Sequence, residues 1–331
     1  MKILYTCISG LQEIARAALM EKKGHRVLKM MDGALLCEAE RPSRAGCFNN
    51  TFEVLLERSY SGAGALDKLM SEAVRLGMRG SLSQIRGKVR TFRIVSSLEN
   101  KLTSVDSRRK AELEKLIAAR TGLRVERALA DVEFWLYGRS EGIAFFLRRL
   151  SYERVTEKQL QKGELRPELC WCMNYLSSPS PRDVFLDPFA GSGAIPHSRL
   201  KMGSFAKLYA LDIDRDKAKA IARRLGNAEN VHVQPLPIAQ IDSRIEPGSI
   251  TKVVTDPPWG FFEEMNVPAF YADMWKHLLP ICAQDARIVM LSARADEMER
   301  ILMRMDTLAV EAIYRVLVNG KKAGIYVMRR T

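Results

Sequence analysis

Apolar positions in the first 50 residues follow a strand-like pattern and then a helical one. A β-rich apolar run covers residues 2–8, and apolar side chains at helical spacing cover residues 11–19, with Gly24 as the predicted end of that helix. Two further apolar runs flank Asp32-Gly33, a dipeptide typical of a two-residue hairpin turn. This strand–helix–hairpin order predicts a small α+β domain over residues 1–50.

The same alternation of strands and helices continues through residues 51–150. The pattern predicts a helix around residues 63–76, followed by the strand VRTFRIVSS. Asp106 stands where the N-cap of the next helix would lie, and Gly122 stands at the predicted end of that helix. The aromatic and β-branched run DVEFWLYG is suited to a later strand. We therefore predict a second α+β domain, which the polar stretch 151–166 connects as a linker to the rest of the chain.

From residue 167 to residue 331 the pattern becomes one of apolar strands separated by helices. The predicted strands read DVFLD, KLYALD, VHVQ, KVVTD and RIVMLS. Strands that alternate with helices indicate parallel βαβ units, and so a doubly wound α/β sheet. The C-terminal tail contains two strand-like runs around Asn319-Gly320, which predicts that the sheet ends in an antiparallel hairpin.

The charge of the chain is positive and unevenly distributed. The 331 residues carry a net charge of +13, of which +10 lies in residues 1–160 and +3 in residues 161–331. Basic residues neutralise phosphates with release of counterions, so this distribution favours a polyanionic partner, although a solvated basic surface would give the same charge.

Other features of the composition exclude several classes of protein. The chain has no apolar run of the roughly 18 residues that a membrane span requires, and its start does not resemble a signal sequence, so we expect a cytoplasmic protein without membrane association. Six cysteines and four histidines are dispersed without zinc-like spacing, which predicts reduced thiols and no metal site.

The first candidate motif lies between the strand VFLD and the next helix. A glycine-rich turn at this place lets a ligand approach the backbone at the carboxyl end of a strand. The following strand ends in Asp212, where a carboxylate can accept hydrogen bonds from both hydroxyls of a ribose, whereas Asp214 is better placed to cap a helix. Together these residues predict a nucleoside cofactor. The motif is Asp187-Pro188-Phe189-Ala190-Gly191-Ser192-Gly193.

The second candidate motif, TDPPWG at residues 255–260, directly follows the apolar strand KVVT. Its two prolines stiffen the turn, so that the Asp256 carboxylate and the Pro257 carbonyl become two fixed acceptors. Such a pair suits a group with two N–H bonds, for example the amine of a nucleobase. Trp259 offers a flat face on which a base can stack, worth about 1–3 kcal/mol. The alternative interpretation is a rigid loop with a buried tryptophan.

The two motifs, DPFAGSG and DPPW in this order, resemble those of Rossmann-fold, S-adenosylmethionine-dependent amino-methyltransferases that act on nucleobases. TCISGLQEIARAAL resembles the opening of an N-terminal ferredoxin-like domain. FRIVSSLENK, the helix bearing Arg108, TGLRVE and FWLYG resemble a THUMP domain, an RNA-binding module. The whole chain is thus similar to the THUMP-containing tRNA guanine-N2 methyltransferases of the TrmN type. The resemblance identifies residues 1–50 as the ferredoxin-like domain, 51–150 as THUMP and 167–331 as a Rossmann-like methyltransferase domain.

This resemblance implies S-adenosylmethionine as the cofactor and tRNA as the partner, with methylation of the N2 amino group of guanine at position 6. It implies that the target base is held by the catalytic residues Asp256, Pro257, Pro258 and Trp259. It also implies a set of cofactor-binding residues: Asp187, Pro188, Phe189, Ala190, Gly191, Ser192, Gly193, Asp212 and Ile213.

The chain departs from the family's pattern at the adenine of the cofactor. The family usually has an acid after the third strand, where this sequence has Leu236. Gln234, Gln240 or backbone groups are therefore the candidates for contacts with the adenine.

Candidate RNA contacts are basic residues in the N-terminal half. A solvated helix face would explain such clusters equally well. The candidates are Arg108, Arg109, Lys110, Arg148 and Arg149.

Three other functions fit part of this pattern. An adenine-N6 or cytosine-N4 methyltransferase acting on DNA or ribosomal RNA, or an rRNA guanine-N2 methyltransferase, would also use an Asp-Pro-Pro-aromatic loop. A non-catalytic RNA-binding protein with a decayed methyltransferase fold would not need to keep Asp187, Asp212 and Asp256 together. A nicotinamide dehydrogenase would use a glycine loop and an acid, but has no need for DPPW or for a basic N-terminal half.

Overall fold

The computed structural model describes the chain except for residues 22, 63, 83–84, 86–88, 152–159, 162 and 262–264. Most of the predicted linker, 151–166, therefore lies outside the described residues. The chain forms two compact units. The N-terminal unit comprises residues 1–6, 18–44 and 48–154, and the C-terminal unit comprises residues 7–17, 45–47 and 155–331.

The elements before residue 150 alternate between strands and helices, as the sequence predicts. In chain order they are β1 (Lys2–Thr6), α1 (Gln12–Met20), β2 (His25–Met31), β3 (Ala34–Ala39), β4 (Asn50–Arg58), α2 (Ala65–Leu76), α3 (Arg79–Leu82), β5 (Thr91–Leu98), β6 (Lys101–Leu102), α4 (Ser107–Thr121), β7 (Arg124–Val125), β8 (Val132–Gly138) and β9 (Ala144–Arg149).

The strands of the N-terminal unit form a single sheet in the order β2-β3-β1-β4-β9-β8-β5-β6, with β7 beside β5. β1 pairs antiparallel with β4, so the sheet runs through the residues assigned to both predicted α+β domains. The boundary at residue 50 and the identity of a THUMP module stay predictions.

The turns and caps of this unit lie where local sequence places them. The hairpin between β2 and β3 turns at Asp32-Gly33, where Gly33 has a φ of +66°. The Asp106 carboxylate accepts a hydrogen bond from the amide of Arg109 at 2.8 Å and so caps α4. Gly122 ends α4 in the left-handed conformation, with a φ of +74°.

Both faces of this sheet carry buried apolar side chains. On one face, α2 packs against β8, β9 and α4. In the same apolar cluster, the centroid of the Phe134 ring lies 5.8 Å from that of Phe92 and 5.7 Å from that of Phe146. The opposite cluster is built around residues such as Phe52 and Phe145. This two-sided burial explains the consecutive apolar residues FWLY in β8 and AFFL in β9.

The elements of the C-terminal unit form the strand–helix alternation predicted from residue 167 onward. In chain order they are α5 (Pro167–Leu176), β10 (Val184–Asp187), α6 (Ala194–Leu200), β11 (Lys207–Asp212), α7 (Arg215–Leu225), β12 (Val231–Pro235), a 3-10 helix (Ile238–Ser243), β13 (Ile250–Thr255), α8 (Val267–Ile281), β14 (Cys282–Ser292), α9 (Ala295–Leu302), β15 (Leu308–Val318) and β16 (Lys321–Arg330).

The second sheet has the order β12-β11-β10-β13-β14-β16-β15. β10 to β14 pair in parallel, and β16 pairs antiparallel with both β14 and β15. The predicted doubly wound sheet with a C-terminal antiparallel hairpin is confirmed. The chain moves outward from β10 to β11 and β12 and then returns to β13 on the other side of β10, so a topological switch point lies between β10 and β13.

Apolar side chains of α8 anchor the second sheet. Tyr271, Met274 and Trp275 are buried in a cluster with residues of β13 and β14, including Val253 and Ile288. This core therefore fixes the position of α8 against the sheet. In the described part of the chain, no helix is long and apolar enough to cross a membrane.

A buried ion pair at the start of β10 provides a test of this fold. Asp183 and Arg199 are almost completely buried and lie 3.1 Å apart. Asp183→Asn leaves the guanidinium charge of Arg199 uncompensated, so we expect a loss of about 3 kcal/mol in the free energy of unfolding, measured by urea denaturation. Asp216→Asn breaks the exposed pair with Lys219 and serves as the control, with an expected change within about 0.5 kcal/mol. Equal effects of the two variants would contradict the prediction.

Candidate active site

The two candidate motifs lie at the carboxyl ends of neighbouring strands. Asp187 is the last residue of β10 and Thr255 is the last residue of β13, and these strands pair in parallel. The Thr255 hydroxyl donates a hydrogen bond to Oδ1 of Asp187 at 2.8 Å, and both side chains are completely buried. This hydrogen bond joins the glycine-rich loop to the DPPW loop.

The glycine-rich loop turns back over the edge of the sheet. Gly191 and Gly193 have φ values of +54° and +77°, in the region that favours glycine. A Cβ atom on Gly193 would lie 3.3 Å from a methyl carbon of Ile221, and one on Gly191 would lie 3.9 Å from the carbonyl oxygen of Phe189. The amide of Ala190 donates to the carbonyl of Leu211 at 2.8 Å, which ties the loop to β11.

Asp212 supports the loop from the end of β11. Its Oδ2 accepts a hydrogen bond from the amide of Gly191 at 3.0 Å, and its Oδ1 accepts one from the amide of Asp214 at 2.9 Å. Each carboxylate oxygen keeps a second lone pair, so two further donors can bind. The next residue, Ile213, is 74% exposed although it is apolar. As predicted, Asp214 caps α7.

The carboxyl group of Asp187 is desolvated. Burial raises the pKa of Asp187 to about 7, and the negative charge of Asp212 adds to the rise, against hydrogen bonds from Thr255 and from the amide of Phe189. Oδ2 of Asp187 has no hydrogen-bond partner among the described residues. A buried carboxylate oxygen without a donor, beside a glycine-rich loop, suits a ligand with a cationic N–H group.

Asp256, one residue beyond β13, is partly exposed, although its Oδ1 atom is buried. Burial raises the pKa of Asp256 well above its usual range, the neighbouring charge of Asp187 adds to the rise, and the Trp259 indole partly offsets it. Within the described part of the chain, Oδ1 of Asp256 has no hydrogen-bond partner. Pro257 is buried and Pro258 is exposed. The charge of Asp187 reaches the Asp256 carboxyl group, so carboxylate acceptors lie close together at the ends of these two strands.

Sequence reasoning missed several residues around the DPPW loop. Arg294 donates a hydrogen bond from Nε to the carbonyl of Trp259 at 2.7 Å, and its guanidinium carbon lies 4.4 Å from the centroid of the Phe261 ring. Lys321 Nζ lies 3.9 Å from the same centroid. Arg294 follows the carboxyl end of β14, the neighbour of β13, so strand order was the signal that could have identified it.

The candidates for adenine contacts occupy different environments. Leu236 is buried in the core of the unit, and its amide donates to the carbonyl of Asp212 at 3.0 Å. Gln234 and Gln240 are exposed. Their contact with adenine stays a prediction.

The candidate RNA contacts lie in the N-terminal unit and divide into two groups. Arg108 and Arg109 are exposed on α4, and Lys110 is partly exposed. Arg148 and Arg149 lie within the sheet: Arg148 pairs with Glu53 at 2.6 Å, and Arg149 pairs with Glu133 at 2.9 Å. The role of all five in RNA binding stays a prediction. All six cysteines are reduced and buried, and the described residues contain no cluster of three or more side chains suited to a metal ion.

Comparison with known proteins identifies a family and a set of similar folds. Residues 154–323, more than half of the chain, match the family UPF0020, described as the RMKL-like methyltransferase domain. No curated protein matches the sequence. The chain is similar in structure to TrmN from Thermus thermophilus, with a TM-score of 0.78 and 17% identity over 100% of this chain and 99% of that chain.

Two other solved structures also extend over nearly the whole chain. One is described as a predicted N6-adenine-specific DNA methylase from Listeria monocytogenes, with a TM-score of 0.66 and 17% identity over 98% of this chain and 95% of that chain. The other is SMU.472, named as a methyltransferase and solved in complex with SAH, with a TM-score of 0.71 and 12% identity over 98% and 97% of the two chains. At these identities the likeness shows the fold alone.

The desolvation of Asp187 predicts a specific pH dependence of stability. The unfolded chain releases this proton near the ordinary pKa of 3.8, whereas the folded protein holds it up to a pKa of about 7. The stabilisation is therefore complete below pH 3.8 and is lost as the pH rises through 7. Relative to Asp187→Asn, which does not titrate, the free energy of unfolding of the wild type should fall by up to about 1.4 kcal/mol per pH unit between pH 4 and 7. Urea denaturation of both proteins at several pH values measures this, and parallel curves would contradict it.

Proposed function

This chain belongs to the RMKL-like methyltransferase family, and we propose that it methylates the exocyclic N2 amino group of a guanine in tRNA. The chain is a methyltransferase, and its cofactor is S-adenosylmethionine. The observation that carries the proposal is the pair of desolvated carboxyl groups, Asp187 and Asp256, at the ends of two adjacent strands.

The residues at the glycine-rich loop fit the cofactor. The free Oδ2 of Asp187 suits the ammonium group of the methionine part. The remaining lone pairs of Asp212 suit two ribose hydroxyls, and the exposed Ile213 offers an apolar surface to the adenine ring. Pro188, Phe189 and Ser192 complete the loop. When bound, the cofactor supplies a methyl group activated by its sulfonium.

The DPPW loop suits an amino group as the acceptor of that methyl. The amine of guanine is a poor nucleophile because its lone pair is delocalised into the ring. Hydrogen bonds from its two N–H groups to Oδ1 of Asp256 and to the Pro257 carbonyl would draw the nitrogen toward tetrahedral geometry and direct its lone pair in line with the methyl group. Such positioning can supply up to roughly 7–11 kcal/mol of the barrier. The ionised Asp256 also stabilises the positive charge that develops on the nitrogen. The methylated nitrogen then gives up its extra proton to Asp256 or to water.

Base stacking and charge support a nucleic-acid substrate. The Trp259 ring gives a stacking surface beside Asp256, and a base within a duplex would have to be extruded to reach it, at a cost of a few kcal/mol. The N-terminal half of the chain, with its charge of +10, supports an RNA partner. The resemblance of the sequence motifs to tRNA guanine-N2 methyltransferases supports tRNA, with guanine at position 6 as the corresponding target, and the fold is similar to that of a structure named TrmN.

A second candidate function is methylation of adenine N6. The similarity to a structure described as an N6-adenine-specific DNA methylase supports it, and the same acceptor pair would bind the adenine amine. The product distinguishes the two candidates.

We expect the purified protein to transfer label from S-adenosylmethionine to total tRNA and to form N2-methylguanosine, identified by nucleoside analysis. Formation of N6-methyladenosine, in tRNA or in DNA, would support the second candidate instead. Transfer to none of these substrates would contradict both.

Two alanine variants should separate binding of the base from binding of the cofactor. Asp256→Ala removes the acceptor for the amine, so we expect the rate of transfer to fall by at least about 100-fold, while the affinity for S-adenosylhomocysteine, measured by calorimetry, is retained. Asp212→Ala removes the support of the glycine loop and the acceptor for the ribose, so that affinity should fall. An active Asp256→Ala enzyme, or an Asp212→Ala protein with wild-type affinity, would refute the corresponding role.

A further inference from the structure

Arg294 holds the backbone of the DPPW loop from the side of β14. Besides the hydrogen bond from Nε to the carbonyl of Trp259 at 2.7 Å, its Nη2 donates to the carbonyl of Gly260 at 3.4 Å. The guanidinium also lies against the ring of Phe261, 4.4 Å from its centroid, with Lys321 Nζ at 3.9 Å from the same point. We call Arg294, Phe261 and Lys321 the loop clamp.

Within the loop clamp, Arg294 is held by hydrogen bonds in the core of the unit. The amide of Arg294 donates to the hydroxyl of Ser292 at 3.0 Å, and that hydroxyl shares a hydrogen bond of 2.9 Å with the phenol of Tyr271. Ser292 and Tyr271 are completely buried. Arg294 is therefore fixed at its backbone by a buried network, and only its side chain extends to the loop.

Tyr271 lies within electrostatic range of both Asp256 and Arg294. Burial raises the pKa of Tyr271 to about 12, the charge of Asp256 adds to the rise, and the charge of Arg294 opposes it. The charges of Asp256 and Arg294 therefore both act on one buried phenol.

Steric constraint fixes the same loop from its other side. Gly260 has a φ of +67°, and a Cβ atom at this position would lie 2.8 Å from a methyl carbon of Val267 at the start of α8. The backbone at Gly260 is thus confined between α8 and the guanidinium of Arg294. Beyond it, the rings of Trp259 and Phe261 meet edge to face, with centroids 6.2 Å apart.

We propose that Arg294 is a positioning residue for methyl transfer. By donating hydrogen bonds to the carbonyls of Trp259 and Gly260 and packing on Phe261, it orients the Trp259 ring and the Asp256 carboxylate for the target base. This inference rests on the proposed function of the loop. It requires arginine and not merely a positive charge, because a guanidinium offers a planar fork of donors and a flat face for stacking, whereas an ammonium offers neither.

The test compares two variants of Arg294. Arg294→Met removes the hydrogen bonds to the loop carbonyls, and Arg294→Lys keeps only the positive charge. Arg300→Met, on the exposed last turn of α9, is the control. Amide hydrogen exchange at Trp259, Gly260 and Phe261 reports on the loop without any reaction. We expect faster exchange at these amides in both Arg294 variants and wild-type exchange in the control.

The kinetic arm measures kcat and KM for the tRNA methylation together with the dissociation constant of S-adenosylhomocysteine. We expect kcat to fall by about 100-fold in Arg294→Met, to recover only partly in Arg294→Lys, and to remain unchanged in Arg300→Met. Cofactor affinity should match the wild type in all three. If Arg294→Met does not fold, Phe261→Leu removes the stacking face and should give the same faster exchange.

The outcomes separate the inference from the proposed function. Wild-type exchange and wild-type kcat in Arg294→Met would overturn the inference, as would full activity in Arg294→Lys. Loss of cofactor affinity in parallel with activity would also overturn it, since it would indicate a general structural role. If the wild type methylates no nucleic acid, the proposed function fails, but the exchange comparison still decides whether Arg294 holds the loop.

Discussion

The hydrogen bond from the Thr255 hydroxyl to the Asp187 carboxylate joins the two halves of the candidate active site. It connects the end of β10 to the end of β13 in a position that water does not reach. Because this bond satisfies one oxygen of Asp187 and leaves the other without a donor in the described chain, the carboxylate is held rigidly and incompletely solvated. Desolvation of Asp256 beside it makes the region strongly unfavourable to negative charge.

The unfavourable ionisation of these two desolvated carboxyl groups connects the fold to the chemistry of methyl transfer. Two carboxyl groups that are costly to ionise become easier to ionise when a cationic ligand or N–H donors approach them. S-adenosylmethionine carries an ammonium and a sulfonium, and a nucleobase amine carries two N–H donors. Under the proposed function, such a site would favour the cofactor and the amine of the target base over water, which cannot match their charge at fixed positions.

The rigidity of the DPPW loop depends on elements that are distant from it in sequence. α8 blocks one side of Gly260, and Arg294, anchored through Ser292 to the phenol of Tyr271, holds the other. The prolines stiffen the beginning of the loop, whereas its end is fixed by tertiary contacts alone. The fold also decides which basic side chains of the N-terminal unit face solvent. Arg148 and Arg149 neutralise buried glutamates, whereas Arg108 and Arg109 are exposed.

The sequence by itself determined the local elements and the chemistry of the two motifs. Periodicity, the turns at Asp32-Gly33 and Asn319-Gly320, and the caps at Asp106 and Asp214 depend on interactions between near neighbours, which a one-dimensional pattern contains. Only the tertiary structure decided that β10 and β13 are adjacent and that the N-terminal strands share one sheet. It also decided that Arg294, after β14, donates hydrogen bonds to the backbone of the DPPW loop. The reason is physical: strand order and burial are set by packing between distant segments, and burial in turn sets the ionisation of the carboxyl groups.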